Sequence, residues 1–146
     1  MAVRSDRRYR FTVGRRAVWD AFTQVDRYRA WWPWLHRFDG VAFEAGERWQ
    51  CVVKPQLPYT LEFVILLDEV IEETTAHARL TGDIEGWARL ELSATDVGSE
   101  LRLQSELTAK GGPAKWVDTV VPAIARRGHD WVLDNGIRQF RQATRV

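Results

Sequence analysis

Cysteine is almost absent. The one present, Cys51, cannot form an internal disulfide, and a lone thiol suits a reducing compartment. Histidine is nearly as scarce: His36, His77 and His129 stand far apart, with no pair at the spacing by which one helix or hairpin holds zinc, so no metal site is expected. No apolar run approaches the roughly 20 residues that span a bilayer. The opening residues, MAVRSDRRYRF, are basic and carry no apolar segment, so they do not read as a secretory signal. A cytoplasmic location is the resulting expectation. KGGPAK (110–115) has two glycines and two lysines without the phosphate-loop spacing, and no Gly-x-Ser-x-Gly elbow exists. No cofactor is expected, and nucleophilic catalysis has no candidate.

An excess of one charge is missing too. The net charge is +1, but it is unevenly spread. Residues 1–40 carry nine Arg and four acids, residues 41–100 four bases and twelve acids, and residues 101–146 eight bases and four acids. Basic ends around an acidic middle neutralise one another on folding. A nucleic-acid binder shows a net basic domain or a dense basic stripe, so no nucleic-acid partner is expected.

What the chain has in excess is tryptophan, eight in 146 residues. Three of them, Trp31, Trp32 and Trp34, fall within AWWPWLHRF (30–38), beside Pro33 and before His36. So much aromatic surface in one stretch has three readings: a pocket wall, a membrane-inserting tip, or a platform for stacked bases. The charge balance weighs against the third. Arg27, Arg29 and Arg37 nearby keep the second open, because exposed tryptophan beside arginine suits an anionic interface.

The 146 residues suit a single domain, 1–146. RYRFTV (8–13) alternates at period two, a strand with one wet face. RRAVWDAF (15–22) spaces Val18 and Phe22 for a short helix, and Asp26 is placed to cap a second one that Pro33 stops near Trp32. Five strand-like segments follow: LHRFDGVAF (35–43), RWQCVV (48–53), LPYTLEFVILLDEV (57–70), TTAHARLTG (74–82) and IEGWARLEL (84–92). LRLQSEL (101–107) is the last strand, and turns every 8–12 residues or so mark antiparallel hairpins. After KGGP, residues 114–142 predict a long helix. Val117, Val120, Val121, Ile124, Gly128, Trp131, Val132, Asn135, Gly136 and Phe140 form its apolar stripe. Pro122 either kinks this helix or starts it. A curved sheet cannot cover its apolar face with two short helices, so the long helix must lie across it, with a cavity between. The expected class is α+β: a seven-stranded curved antiparallel sheet, two short helices and a long C-terminal helix.

This order resembles the helix-grip fold of START and Bet v 1-like proteins. VWDAF, YRAWWPWL, LPYTLEFVILLDEV, GDIEGWARLEL and HDWVLDNG are similar to bacterial proteins of the polyketide cyclase/dehydrase, or SRPBCC, type. The resemblance implies a cavity for a hydrophobic or aromatic small molecule, lipid- or polyketide-like. One cysteine cannot ligate the Rieske cluster that some superfamily members carry. The expected function is binding in that cavity, as a carrier or sequestering protein, with a cyclase or dehydratase as the alternative. The expected state is a monomer or weak homodimer.

The expected ligand-binding residues are Trp32, Trp34, Trp49, Tyr59, Phe63, Trp131, Asn135 and Gly136, with Phe140 beside them. Apolar walls with a few polar anchors are what small-molecule sites have. Asn135 is polar in mid-stripe, and a buried amide must find partners. Gly136 and Gly128 remove bulk from the helix, and Gly86 and Ala88 remove it from the sheet, which leaves volume to account for. An enzyme needs an acid or base in the pocket, and His129 and Asp83 are the candidates. His129 stands at the stripe edge, next to Asp130 and five residues before Asp134. Asp83, in TGDIEG, sits at a strand junction, where a turn role competes.

Overall fold

In the computed structural model the protein is described over residues 2–54, 60–110 and 122–146, the side chains of 122–128 excepted. The order is β1 (Ala2–Phe11), α1 (Arg15–Phe22), a 3-10 turn (Val25–Arg27), α2 (Tyr28–Trp31), β2 (Leu35–Asp39) and β3 (Arg48–Val53). Then come β4 (Leu61–Ile71), β5 (Thr75–Gly82), β6 (Ile84–Ala94), β7 (Ser99–Ala109) and the helix α3 (Pro122–Thr144). The strands form one antiparallel sheet ordered β1-β7-β6-β5-β4-β3-β2. Its curvature uses irregularities: the β4–β5 register shifts between Leu67 and Glu69, and the β2–β3 register between Leu35 and Arg37. No helix among the described residues is long and apolar enough to cross a membrane.

Strand periodicity holds through the sheet. In β3, Trp49, Cys51 and Val53 are buried on one face. Two expectations need correction. The first strand begins at Ala2, not at residue 8, because Val3, Ser5 and Arg7 continue the inward face and pair in register with Leu107, Ser105 and Leu103. Asp26 lies inside the 3-10 turn and caps nothing; Arg27 stands at the start of α2, with no side-chain cap. Pro33 does stop the helix: α2 ends at Trp31, and Trp32 is extended, with ψ of 89°. In the described helix Pro122 is the first residue, the position where its missing N–H costs nothing. Residues 114–121 and KGGP beyond Lys110 lie outside the described residues.

The charge segregation resolves into ion pairs on the outer face of β1 and β7. Arg102 meets Asp6 at 2.6 Å, Arg4 meets Glu106 at 3.4 Å, and Arg8 and Arg10 share Glu100 at 3.2 and 3.5 Å. Arg16 reaches Asp20 and Glu73 at 3.6 and 3.4 Å. Exposed pairs of this kind contribute about 0–1 kcal/mol each. Their larger effect is to occupy the basic side chains of the N-terminal strand.

Two apolar clusters lie on the inner face of the sheet. One gathers Phe11, Val18, Trp19, Phe22, Leu101, Ile137 and Phe140 under the C-terminal half of α3. The other gathers Val25, Tyr28, Trp31, Leu35, Trp49, Cys51 and Leu67. Burial in the second pushes the Cys51 thiol up to about 12, with Asp39 adding to the shift. The native protein should therefore react with an aromatic disulfide reagent at pH 8 slower than unfolded chain by on the order of a hundredfold or more, since the thiolate is the nucleophile. Equal rates with and without denaturant would contradict this burial.

Candidate functional site

Between sheet and α3 lies a cavity of about 390 Å³. Its floor, among the described residues, is the inner face of β3 to β7: Trp49, Cys51, Phe63, Ile65, Leu80, Ile84, Ala88, Leu90, Ser105 and Leu107. One side is Tyr28, Trp32, Trp34, Leu35 and Phe38, and the roof is His129, Val132 and Leu133 of α3.

The tryptophans reach the roof as well as the wall. The Trp32 indole N–H donates to the Gly136 carbonyl at 2.8 Å, and the Trp34 indole N–H to Gln139 Oε1 at 2.8 Å. The two rings stack at 5.7 Å between centroids, and Trp131 meets Trp34 edge-on at 6.2 Å. Trp31 turns away into the core, 8% exposed, against Tyr28 and Phe140. His36 is exposed. The cluster thus faces inward, with Trp31 buried and Trp32 and Trp34 half-buried.

The remaining polar groups of the wall are also committed. Trp49 donates its indole N–H to the Ala42 carbonyl at 3.0 Å, and the Tyr28 hydroxyl donates to the Phe22 carbonyl. Ser105 Oγ and His129 Nε2 lie 3.2 Å apart, a hydrogen bond between sheet and roof. Behind it, Arg7 meets Asp130 at 3.1 Å and Asp134 at 3.9 Å, and the Tyr9 hydroxyl donates to Asp134 Oδ1 at 3.2 Å. These contacts dock α3 on β1.

Burial, with Asp134 next in weight, pushes the Tyr9 phenol up to about 12. The fold therefore favours the neutral phenol. Its contribution to stability is complete below the unfolded value near 10 and is lost as pH rises through about 12. Between pH 10 and 12 the wild type should lose stability more steeply than Tyr9→Phe, measured by denaturant unfolding; parallel curves would remove Tyr9 from the dock.

No protein-family profile matches the chain, and no curated protein is similar to it in sequence. Solved structures are similar in shape. Ara h 8.0201 superposes with a TM-score of 0.73 at 12% identity, covering 99% of this chain and 98% of that one. The Zhui aromatase/cyclase from Streptomyces sp. R1128 gives 0.72 at 11%, covering 99% and 94%. Norcoclaurine synthase from Thalictrum flavum, solved with dopamine and hydroxybenzaldehyde, gives 0.65 at 12%, covering 94% and 86%. The chain has the helix-grip fold of Bet v 1-like proteins. At these identities the likeness is one of fold.

Within the helix grip, Trp32, Trp34, Trp49 and Phe63 stand on the cavity wall. Tyr59, with Val117, Val120, Val121 and the side chain of Ile124, lies outside the described residues. Trp131, Asn135, Gly136 and Phe140 do not line the cavity, and each has a physical reason. Trp131 packs on the far side of Trp34. Asn135 donates to the Trp131 carbonyl at 3.0 Å and accepts from Arg138, so its amide is used within the helix. Phe140 is fully buried in the closed core. A Cβ on Gly136 would stand 3.6 Å from Trp34 Cζ2 and 3.9 Å from Trp32 Nε1, so this glycine seats the tryptophan pair and opens no space.

That geometry separates two substitutions. Gly136→Ala should hold or gain stability, because the methyl makes ordinary contacts and alanine gains up to about 1 kcal/mol of helix propensity. Gly136→Leu should lose about 1–3 kcal/mol by pushing the rings off the helix. Thermal melts of the pair check it, and a stable Gly136→Leu would mean the rings have room to move.

Asp83 does not line the cavity. Its carboxylate accepts the Glu62 N–H at 2.9 Å, its own N–H donates to the Glu62 carbonyl at 2.9 Å, and its carbonyl accepts from Lys110 at 2.7 Å. It ties three strand ends together. Gly86 contributes no volume either, because it lies against the backbone of β7. The reading of the sequence missed Ser105. The available signal was a serine on the inward register of LRLQSEL, between Leu103 and Leu107 on the same strand face.

Proposed function

We propose that the protein binds a hydrophobic or aromatic small molecule in this cavity, as a carrier or sequestering protein. One observation carries the reading: a space of about 390 Å³ is walled by aromatic and aliphatic side chains whose indole and phenol donors are already bonded to protein. Such a wall asks little of its guest beyond apolar surface and size, which fits storage or transport of a lipid- or polyketide-like molecule. The basic residues of the N-terminal strand are held in ion pairs, which supports a small molecule rather than nucleic acid as partner.

Native mass spectrometry of the purified protein, with uptake of Nile red as a second readout, tests it. The expected result is a bound apolar mass or a saturable dye site. Ala88→Phe, which places a ring in the floor, should abolish uptake in a folded protein. Absence of both signals in the wild type would overturn the reading.

A second reading is a cyclase or dehydratase acting on a polyketide-like substrate. It is favoured by His129, the one imidazole on the described wall, as a general acid or base. An enzyme would convert an added poly-β-ketone thioester and lose turnover in His129→Gln. A carrier would return the compound unchanged.

A further inference from the structure

We propose that the Ser105–His129 pair is the anchor for a hydroxyl on the ligand, so that the guest is an apolar ring system bearing one neutral phenol or alcohol group. This rests on the binding reading above. Of the polar groups on the described wall, the indoles of Trp32, Trp34 and Trp49 and the hydroxyl of Tyr28 each have a protein acceptor. A donor with one hydrogen has nothing further to give. Ser105 differs from the indoles, because a hydroxyl carries one donor and two acceptor sites, and the bond to His129 Nε2 uses one of them; the Tyr28 oxygen, its proton given to the Phe22 carbonyl, can only accept. If Ser105 donates to the imidazole, its lone pairs remain to accept. If the imidazole donates, the serine proton remains to give. A ligand hydroxyl can both donate and accept, so it fits either arrangement, whereas a ligand carbonyl fits only the second.

Position supports the same assignment. Ser105 pairs in register with Ala88 on β6, whose side chain ends at one methyl, so a flat ring lying over Ala88 can bring its edge to Ser105. On its other side the register partner is Ser5, whose hydroxyl is buried with no hydrogen-bond partner among the described residues. Two inward serines side by side, with Ala88 and Leu107 near them, cost stability unless something bonds to them. Among the described residues the charges also favour a neutral group over an anionic head. An ion buried here would need a cation, and Arg7, on the inward face of β1, is held by Asp130 and Asp134 at 3.1 and 3.9 Å.

The test compares 2-naphthol with 2-methylnaphthalene, which have nearly the same shape and differ in the hydroxyl, by titration calorimetry. The wild type should bind the naphthol about tenfold or more tightly than the hydrocarbon, because a polar site rejects the analogue lacking the bonding group. Ser105→Ala and His129→Leu should bring that ratio toward one, the ratio within each variant cancelling any change in cavity shape that affects both compounds alike. In the wild type, naphthol and not methylnaphthalene should shift the His129 Nε2 nitrogen resonance, a readout that stands even if a variant does not fold. Equal affinity for both compounds, or a ratio that survives in both variants, would overturn the anchor and leave the cavity reading intact. Failure of both compounds to bind would overturn the cavity reading itself, and the anchor with it.

Discussion

Gly86→Ala should cost the protein about 3 kcal/mol or more, through backbone strain and a collision that the sheet cannot relieve. A Cβ built on Gly86 would stand 1.9 Å from the Glu106 carbonyl oxygen and 2.9 Å from its carbonyl carbon. The obstacle is backbone of the neighbouring strand, not the end of a flexible side chain. Gly86 also has φ of +152°, a conformation that residues with a Cβ rarely adopt. Relief would require β6 and β7 to separate where Gly86 pairs with Leu107, beside the cavity floor. In a chain of this size the loss should appear as a fall in melting temperature of roughly 6–12 °C or more. A variant that melts within a degree or two of the wild type would show that the strands are free to part there.

Phe140→Ala should destabilise the fold by about 3–5 kcal/mol, the range for truncating a fully buried aromatic ring. Phe140 has no exposed surface and touches three rings from three elements: Phe22 edge-on at 4.3 Å, Trp31 at 5.5 Å and Phe11 at 6.2 Å. It is the point where α3, α1, α2 and β1 meet. Phe140→Leu keeps most of the volume and should lose markedly less. Denaturant unfolding of the two variants checks the order. A small loss in Phe140→Ala would mean that the surrounding rings collapse into the space.

The second prediction bears on function through the helix that carries Phe140. Helix α3 closes the cavity, and it is held at one end by the Phe140 cluster, along its side by Arg7 and Tyr9, and across the cavity by the two indole bonds.

Local pattern decided most of the elements. Alternation in RWQCVV and IEGWARLEL and the stop at Pro33 are each settled within a few residues, because side-chain direction in a strand and backbone restriction before proline are local effects. The N-terminal half of β1 was not legible in this way. Its inward residues include Ser5 and Arg7, so its two faces differ little in polarity, and it is a strand because β7 offers hydrogen bonds and counter-charges.

The site was legible only on its sheet side and its tryptophan loop. A helical stripe says which side of α3 faces inward, but not what lies beneath each turn. The C-terminal part of the stripe, Gly136 and Phe140, rests on tryptophan rings and closed core, while the wall is made by His129, Val132 and Leu133. Asn135 looked like an anchor because its surroundings on the stripe are apolar, yet Trp131 and Arg138 on its own helix satisfy it.

The sequence by itself determined the element order, the antiparallel sheet and the need for a long helix across it, because hydrophobic period and turn residues act over short range. Only the tertiary structure decided where the cavity lies and which polar group faces it. Ser105 and His129 are 24 residues apart and meet across the cavity, and Trp32 finds its acceptor 104 residues away. Such pairings depend on how the curved sheet and α3 are set against each other, a geometry spread over the whole chain and written in no single stretch of it.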